Sequence, residues 1–213
     1  MARIVITDDG SPSLYEETLQ EGYHSVSGAM TESLEKFAKP LRSLIKKNHL
    51  KVLDTCFGLG YRSCAVAEVF KDHHLEITAV EKDPSLLSFM KQMVLPGEPQ
   101  KIYSRFQQLA KDHLKISLPK LKLQLIHGDV RRVLPKLKKF DVVIHDPFSP
   151  KKVPELWTPQ LFKKIFSHMN KQGVLVTYSC ARSVRDALRA AGFTVIDGPT
   201  VGRRSPSTIA IKD

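Results

Sequence analysis

The fold is decided by residues 51–63, which read KVLDTCFGLGYRS. An apolar run typical of a buried strand ends at Leu53, and Gly58 and Gly60 follow it closely. A helix-competent apolar segment, residues 64–70, comes next. Glycine reaches positive φ at little cost and lets the backbone approach a ligand. A strand, a glycine turn and a helix in this order predict the loop of a nucleotide-cofactor site.

Length and composition are those of a globular protein. The chain has 213 residues, enough for one α/β domain and an appendage, with 42% hydrophobic and 26% charged residues. No apolar run approaches the length of about 18 residues that a transmembrane helix needs, and no signal peptide is recognisable. Three cysteines without metal-binding spacing indicate buried thiols. We therefore expect a cytoplasmic protein without a metal site or a membrane partner.

The charge balance indicates a polyanionic partner. Thirty-three Lys and Arg residues against 22 Asp and Glu residues give a net charge of +11. Such a surplus suits nucleic acid, because phosphate neutralisation supplies most of its non-specific affinity for proteins. The alternative is a solvated, lysine-coated surface. The basic residues cluster at Lys136–Lys139, Lys151-Lys152, Lys163-Lys164 and Arg203-Arg204.

Strand and helix patterns alternate from residue 50 onward. The predicted strands lie at 50–54, 75–80, 121–126, 140–145 and 173–178. The predicted helices lie at 61–71, 84–93, 100–115, 131–137, 158–169 and 181–191. This alternation predicts an α/β fold with a Rossmann-like, doubly wound, mostly parallel sheet of seven strands. Its last two strands, at 193–196 and 208–211, are expected to pair antiparallel because the loop between them is short.

The N-terminal 40 residues are expected to form an arm and a helix. Residues 4–6 predict one strand, and the helix is expected to open at Thr31 and to stop near Pro40. A second helix, at 41–47, should lead into the sheet. We expect a single domain over 1–213, with the arm and helix at 1–40 and the core at 41–213.

Acidic residues follow several strands in turn. Because the carboxyl ends of parallel strands form the ligand crevice, Glu81, Asp129 and Asp146 are candidates for a shared site. Glu81 can accept hydrogen bonds from a ribose, and Asp129 suits an adenine amine. The alternative for each single residue is a helix N-cap.

The glycine turn favours S-adenosylmethionine over a dinucleotide. Ser63 occupies the third position of the G-x-G-x-x-G pattern, so the dinucleotide fingerprint is incomplete. Asp54 lies directly before the turn, where its carboxylate could pair with a cationic amino-acid group. Residues 51–63, Glu81, Gly128-Asp129 and Asp146 resemble motifs I to IV of the class I Rossmann-type methyltransferases.

The segment 145–158, HDPFSPKKVPELWT, carries the narrowest resemblance. An Asp-Pro-aromatic turn here resembles amino-methylating transferases. The longer pattern resembles the methyl-transferring half of MnmC-like enzymes, which make 5-methylaminomethyluridine at the tRNA wobble position. Further agreement comes from residues 23–25, 173–179 and 184–193. The resemblance covers nearly the whole chain and implies a stand-alone version without the flavin-binding half.

That resemblance implies a set of site residues. Asp146 and Phe148 would be catalytic. The cofactor-binding residues would be Asp54, Phe57, Gly58, Gly60, Glu81, Lys82, Gly128, Asp129, Val130 and Asp146. The substrate-binding residues would be Tyr23, His24, Ser25, Pro147, Phe148, Lys151 and Lys152.

The implied reaction is methylation of a 5-aminomethyl(-2-thio)uridine amine in a tRNA anticodon loop. Asp146 would orient the amine and take its proton. His145 is expected to pack or hydrogen-bond at the strand end, and Trp157 could pack or contact substrate. Alternatives are a methyltransferase for protein or small-molecule amines, and a non-catalytic RNA-binding relic. A polyamine-type aminopropyl transferase shares the fold, but the glycines and acids expected in its first loop are missing. A monomer is compatible with these patterns.

Overall fold

The computed structural model describes residues 2–202 and 204–213, which form two β-sheets with flanking helices. The strands are β1 (Ala2–Ile6), β2 (Pro12–Glu16), β3 (Glu21–Gly22), β4 (His49–Asp54), β5 (His74–Glu81), β6 (Lys115–Ser117), β7 (Leu121–His127), β8 (Phe140–Ile144), β9 (Met169–Thr177), β10 (Thr194–Asp197) and β11 (Thr208–Lys212). The α-helices are α1 (Ala29–Glu32), α2 (Lys39–Leu44), α3 (Tyr61–Val69), α4 (Leu86–Met90), α5 (Pro99–Phe106), α6 (Val130–Val133), α7 (Pro159–Ser167) and α8 (Arg182–Ala190).

The larger sheet has eight strands in the order β10-β11-β9-β8-β4-β5-β7-β6. Its central pairs, from β9 through β8, β4 and β5 to β7, are parallel. The pairs β10–β11, β11–β9 and β6–β7 are antiparallel. The α/β fold with a mostly parallel sheet and an antiparallel C-terminal strand pair is therefore confirmed. The winding reverses at β4, so a ligand crevice is expected beyond its carboxyl end.

The eighth strand arises where the sequence predicts helix. Instead of continuing over 100–115, α5 ends at Phe106, and β6 pairs with β7. Ile116 is buried while Lys115 and Ser117 are exposed, which is the period-two pattern of an edge strand. The sheet therefore has eight strands rather than seven.

The N-terminal arm forms the smaller sheet, in which β1, β2 and β3 pair antiparallel. The sequence predicts only the strand at residues 4–6. Asp9 joins this sheet to α1, since its carboxylate accepts hydrogen bonds from the Thr7 hydroxyl (2.8 Å), the Ser11 N–H (3.0 Å) and the Thr31 N–H (2.8 Å). Partial burial acts to raise the pKa of Asp9, but the bonds from Thr31, Ser11 and Thr7 hold that pKa well below its ordinary value.

The helix after the arm continues through Pro40, so the prediction that it stops there is wrong. A π-helical turn, Ser33–Ala38, joins α1 to α2, and the Lys39 N–H donates to the Leu34 carbonyl. A regular α-helix would bring the proline ring against the carbonyl four residues back. The wider π-helical turn relieves that contact and lets the chain remain helical.

Apolar side chains cover both faces of the larger sheet. Neighbouring strand residues alternate between the two sides: Val52 and Val142 belong to one buried cluster, and Leu53 and Val143 to the other. The first cluster packs under the arm, α3 and α5, and the second under α7 and α8. Within the described residues, no helix combines the length and hydropathy needed to cross a bilayer.

Candidate active site

A cavity of about 810 Å³ lies at the carboxyl ends of the central strands, and the arm lines its other side. Most of the predicted site residues border it: Tyr23, His24, Ser25, Gly58, Glu81, Lys82, Gly128, Asp129, Val130, Asp146, Pro147, Phe148 and Lys152. Asp54, Phe57, Gly60 and Lys151 are not among the lining residues. The strand-end residues are therefore brought together as the topology predicts.

The two glycines of the turn have different surroundings. Both have positive φ, 57° at Gly58 and 78° at Gly60. Gly58 borders the cavity, and its N–H donates to Glu81 at 2.8 Å. Gly60 precedes α3, and a Cβ there would lie 2.6 Å from the Phe57 ring. The ring is buried in the core, so Gly60 serves packing within the turn rather than access to the cavity.

Asp54 lies beneath the turn instead of at its surface. Its carboxylate accepts a hydrogen bond from the Ser63 hydroxyl at 2.7 Å and a long one from the Cys56 N–H at 3.4 Å. The side chain is fully buried, and this burial raises its pKa to about 6. Asp54 thereby links the two ends of the turn and has no direct contact with the cavity.

Glu81 connects the end of β5 to the glycine turn. One carboxylate oxygen accepts from Gly58, and the other accepts from the N–H groups of Lys82 (2.8 Å) and Asp83 (2.9 Å). Burial raises the pKa of Glu81 above its ordinary value despite these bonds. A carboxylate has about four acceptor positions, so one remains for a ligand in the cavity.

Asp129 follows β7 and caps α6. Its carboxylate accepts from the Arg131 backbone N–H at 2.8 Å and pairs with the Arg131 guanidinium at 2.5 Å. The hydrogen bond from that side chain lowers the pKa of Asp129. Val130 is buried directly after it and forms part of the cavity wall. Both the N-cap role and a cavity position therefore belong to Asp129.

Asp146 is a buried acid at the cavity. Its side chain is 2% exposed, and one oxygen forms an ion pair with Arg62. The other oxygen, Oδ1, has no hydrogen-bond partner among the described residues. Burial raises the pKa of Asp146 to about 7, although the positive charge of Arg62 acts in the opposite direction. A buried acceptor without a partner is costly, so Oδ1 marks a place for a donor.

Arg62, Glu32 and Lys36 were missed by the sequence analysis. Arg62 lies 3.8 Å from Glu32, and Glu32 pairs with Lys36 at 2.5 Å. All three are buried, and all three line the cavity. The spacing of Glu32 and Lys36 predicts a helix-surface pair, and nothing in the sequence indicates that this helix faces Asp146.

The arm contacts the segment after Asp146. The Tyr23 and Phe148 rings meet edge to face with centroids 4.9 Å apart. Glu21 accepts hydrogen bonds from the Ser149 N–H at 2.8 Å and the Ser149 hydroxyl at 2.6 Å. These contacts fix Phe148 at the cavity wall, and Glu21 was not predicted.

His24 is a neutral, buried side chain at the cavity. Its Nδ1 lies 2.8 Å from the Ser13 hydroxyl, and its ring stacks on Tyr61. Burial lowers the pKa of His24 well below its ordinary value. Its Nε2 has no partner among the described residues and can exchange a hydrogen bond with a ligand. The neighbouring Ser25 hydroxyl lies 2.8 Å from that of Ser27.

His145 and Trp157 pack below the cavity. His145 is fully buried, with Nδ1 3.0 Å from the Thr55 hydroxyl and Nε2 2.9 Å from the Leu156 carbonyl. The Trp157 indole donates to the Phe148 carbonyl at 2.8 Å and is 6% exposed. His145 packs as the sequence predicts, and of the two positions considered for Trp157 the structure has the packed one.

The basic residues have different exposures and positions. Lys151 and Lys152 are both exposed, and only Lys152 borders the cavity. Exposed lysines also form the clusters at 136–139 and 163–164, while Arg203 lies outside the described residues. Within the described part of the chain, no group of three or more His, Cys, Asp or Glu side chains is arranged to hold a metal ion.

The residues around the cavity fit S-adenosylmethionine. The volume of the cavity lies within the range of roughly 300–1,000 Å³ that small-molecule sites have. Gly58 presents backbone with positive φ to the cavity, and Glu81 offers an acceptor beside it. Asp146 adds a buried oxygen without a partner within the described residues. Together these groups provide close backbone approach and acceptors for hydroxyl and amine donors.

The family is given by a family-model match, and a solved structure and a relative are similar to nearly the whole chain. Residues 97–213 match the model described as S-adenosyl-L-methionine-dependent methyltransferase. The crystal structure of MNMC2 from Aquifex aeolicus is similar over 99% of this chain and 70% of that chain, with 33% identity and a TM-score of 0.87. An uncharacterised protein of Methanocaldococcus jannaschii is 35% identical over 99% of this chain and 59% of its own length.

A further relative carries a fuller description. The tRNA 5-methylaminomethyl-2-thiouridine biosynthesis bifunctional protein MnmC of Campylobacter hominis is 28% identical over 87% of this chain and 29% of that protein. The chain thus spans only part of the curated relatives that it matches. The predicted cofactor and the predicted enzyme class are confirmed by the family match. This chain belongs to the S-adenosyl-L-methionine-dependent methyltransferase family and is related to the methyltransferase portion of MnmC.

Proposed function

We propose that this chain methylates the primary amine of 5-aminomethyl(-2-thio)uridine at the tRNA wobble position, giving the 5-methylaminomethyl product. The observation that carries the proposal is the buried Asp146 carboxylate, which belongs to the cavity lining and whose Oδ1 has no hydrogen-bond partner in the described residues. The names of the MnmC relatives support the substrate. The net charge of +11 suits a polyanion such as tRNA.

S-adenosylmethionine, when bound, supplies an electrophilic methyl group on a sulfonium. Glu81 would accept hydrogen bonds from the ribose hydroxyls, and Gly58 would let the ligand lie close to the backbone. Asp129 would accept from the adenine amine, which requires the Arg131 side chain to release part of the carboxylate. Lys82, Gly128 and Val130 would border the same pocket. Asp54, Phe57 and Gly60 would act by holding the turn in shape.

The acceptor amine must be deprotonated before it can attack. Alkyl ammonium groups titrate near a pKa of roughly 10, and a protonated amine has no lone pair. Entry into the cavity lowers the pKa of the amine through desolvation. Asp146 would bind the amine through Oδ1, direct its lone pair and accept its proton. Burial raises the pKa of Asp146 above its ordinary value, which makes the carboxylate a stronger base for this proton.

The base and its phosphates would be held by other residues. Tyr23 and Phe148 place aromatic surfaces at the cavity, and unstacked RNA bases bind by stacking on such rings. Pro147 restricts the turn between Asp146 and Phe148. His24 and Ser25 would contact the uridine through the His24 Nε2 and the Ser25 hydroxyl. Lys151, Lys152 and the other exposed basic clusters would hold the phosphates of the anticodon loop.

The test is transfer of labelled methyl groups to tRNA that carries 5-aminomethyluridine. The matched control is the same tRNA without the aminomethyl group. Nucleoside mass analysis should show 5-methylaminomethyluridine in the first sample and no product in the second. The variant Asp146→Asn should lose transfer while still binding tRNA.

Two results would contradict the proposal. Label in free amines or in protein but not in tRNA would assign the enzyme to another amine. Binding of tRNA without methylation of any amine would favour a non-catalytic RNA-binding module.

A further inference from the structure

Four buried charges form a connected group beside the cavity, and the mechanism above uses only one of them. The side-chain exposures are 8% for Glu32, 2% for Lys36, 9% for Arg62 and 2% for Asp146. Arg62 Nη2 pairs with Asp146 Oδ2 and lies 3.8 Å from Glu32 Oε2. Lys36 Nζ contacts Glu32 Oε1 at 2.5 Å. One guanidinium is thus within reach of two carboxylates on different elements.

The group is electrically balanced, with two acids and two bases. Buried charges are tolerated when they are paired, and a further unpaired charge is costly. An arriving ammonium would bind Oδ1 and compete with Arg62, which pairs with Oδ2, for the single negative charge of Asp146. Arg62 cannot relieve that competition by deprotonation, because a guanidinium stays charged in proteins. Arg62 can instead pair with Glu32, whose Oε2 is the nearest alternative carboxylate oxygen.

Other contacts allow this movement. Arg62 Nε has no hydrogen-bond partner in the described part of the chain. The guanidinium lies over the Phe37 ring, 5.1 Å from its centroid, a contact that attracts the cation without a directional hydrogen bond. Its Nη2 also donates a long hydrogen bond, 3.5 Å, to the Tyr23 carbonyl. Lys36 holds Glu32 from the other side. Arg62 is therefore fixed by few directional bonds besides its ion pairs.

We propose that Arg62 is a positioning residue that alternates between Asp146 and Glu32, leaving Asp146 for Glu32 when the substrate amine binds Asp146. This inference rests on the proposed function, since the amine is its ligand. Arg62 keeps Asp146 paired before the amine arrives. Glu32 then receives Arg62, so that Asp146 can take the amine and its proton without leaving a buried cation unpaired.

The charges around Asp146 predict the direction in which substitution of each neighbour shifts the pKa of Asp146. Burial raises the pKa of Asp146, Arg62 and Lys36 lower it, and Glu32 and Asp54 raise it. The titratable groups that face Asp146 are Glu32 and Lys36 from the helical segment 29–44, Asp54 and Cys56 from the end of β4 and its turn, and Arg62 from α3. Glu32→Gln should therefore lower the pKa of Asp146, whereas Arg62→Gln should raise it.

The experiment measures that pKa in two ways. Carboxyl ¹³C NMR of aspartate-labelled protein follows Asp146 directly without substrate, and the acid limb of kcat/KM against pH follows it in turnover. We expect shifts of about 1 pH unit or more, downward for Glu32→Gln and upward for Arg62→Gln. Arg62→Lys keeps the positive charge and should stay near the wild-type value. Glu35→Gln is the matched control, because it removes a charge from the partly exposed Glu35–Lys39 pair of the same helix.

A second measurement tests the movement itself. Glu32→Gln deprives Arg62 of its alternative partner, so KM for aminomethyl-tRNA should rise about tenfold, equivalent to about 1.4 kcal/mol, with a smaller change in kcat. An unchanged KM, or pKa shifts in the same direction for both variants, would overturn the inference. If Arg62→Gln does not fold, the KM of Glu32→Gln decides alone, because an unchanged KM there overturns the movement of Arg62. A wild-type protein that fails to methylate tRNA refutes the proposed function, and the NMR shifts remain measurable.

Discussion

Gly60→Ala tests whether Gly60 is needed for packing within the turn, while Gly58 is the glycine at the cavity. Gly60 has φ of 78°, and a Cβ there would meet three atoms of the Phe57 ring at 2.6, 3.1 and 3.2 Å. Phe57 is 2% exposed and lies near Phe106, with ring centroids 6.4 Å apart. The ring has little room to retreat, so the methyl group must displace a packed side chain.

The loss of folding stability in Gly60→Ala has two parts. Placing alanine in the left-handed region costs about 1–2 kcal/mol. Overpacking a filled core by one methyl group adds about 1–3 kcal/mol. The free energy of unfolding should therefore fall by about 2–5 kcal/mol in Gly60→Ala. Gly10→Ala is the matched control: its φ is 80° and its Cβ would have no atom within 4 Å, so only the first part applies.

Urea denaturation measures both variants, with the midpoint and slope compared at one pH. The double variant Gly60→Ala/Phe57→Leu should recover part of the loss, because leucine removes the ring atoms that the new methyl group meets. Equal losses in Gly60→Ala and Gly10→Ala would refute the packing role of Gly60. A stable Gly60→Ala protein that no longer binds S-adenosylmethionine would instead assign Gly60 to direct ligand approach.

Three further predictions concern carboxylates. Asp9→Asn should lower the free energy of unfolding by about 1–2 kcal/mol at pH 7. Because the folded pKa of Asp9 is held well below the unfolded value of about 3.9, this contribution is fully present above that unfolded value and is lost as the pH falls toward the folded pKa, so the difference between the variant and wild-type midpoints should shrink steadily below about pH 3.9. Glu81→Gln should weaken S-adenosylmethionine binding at least about tenfold by calorimetry, because its amide would turn a donor toward backbone N–H groups; unchanged affinity would remove Glu81 from the cofactor site. Glu21→Gln should lower kcat several-fold with unchanged cofactor affinity, since it weakens the hydrogen bonds that hold Ser149 next to Phe148. Glu17→Gln, at an exposed glutamate of the same arm, serves as the control, and equal rates in both variants would contradict a role for Glu21.

Much of the central fold could be predicted because its strands are buried, and buried strands leave a clear pattern of apolar residues in the sequence. The strand at His49–Asp54 buries Leu50, Val52 and Leu53, and the glycine turn follows its end. Parallel strands place their carboxyl ends at one edge, so the meeting of Glu81, Asp129 and Asp146 at one cavity follows from order alone. The roles proposed for these residues stay predictions.

The errors occur where local propensity and tertiary structure disagree. Pro40 is a strong stop signal, yet the π-helical turn before it lets the helix continue. The cofactor-binding role of Asp54 stays a prediction, but the sequence does not indicate that its side chain accepts a hydrogen bond from Ser63 beneath the turn. The alternation of side chains along a strand places neighbouring residues on opposite sides, and the sequence does not state which side holds the ligand.

In the proposed function, the residues that would bind the methyl acceptor come from a different part of the chain than those that would bind the cofactor. The strand ends of the core carry Glu81 and Asp129, whereas the arm and its helix bring Tyr23 to Phe148 and Glu32 to Arg62. Contacts of this kind join segments far apart in sequence, and no short motif encodes them. Under the proposed function, changes in the arm would alter the amine that is accepted, while the strand ends would keep the same cofactor. Substrate specificity in this fold should therefore be sought in the arm and in the side chains facing it.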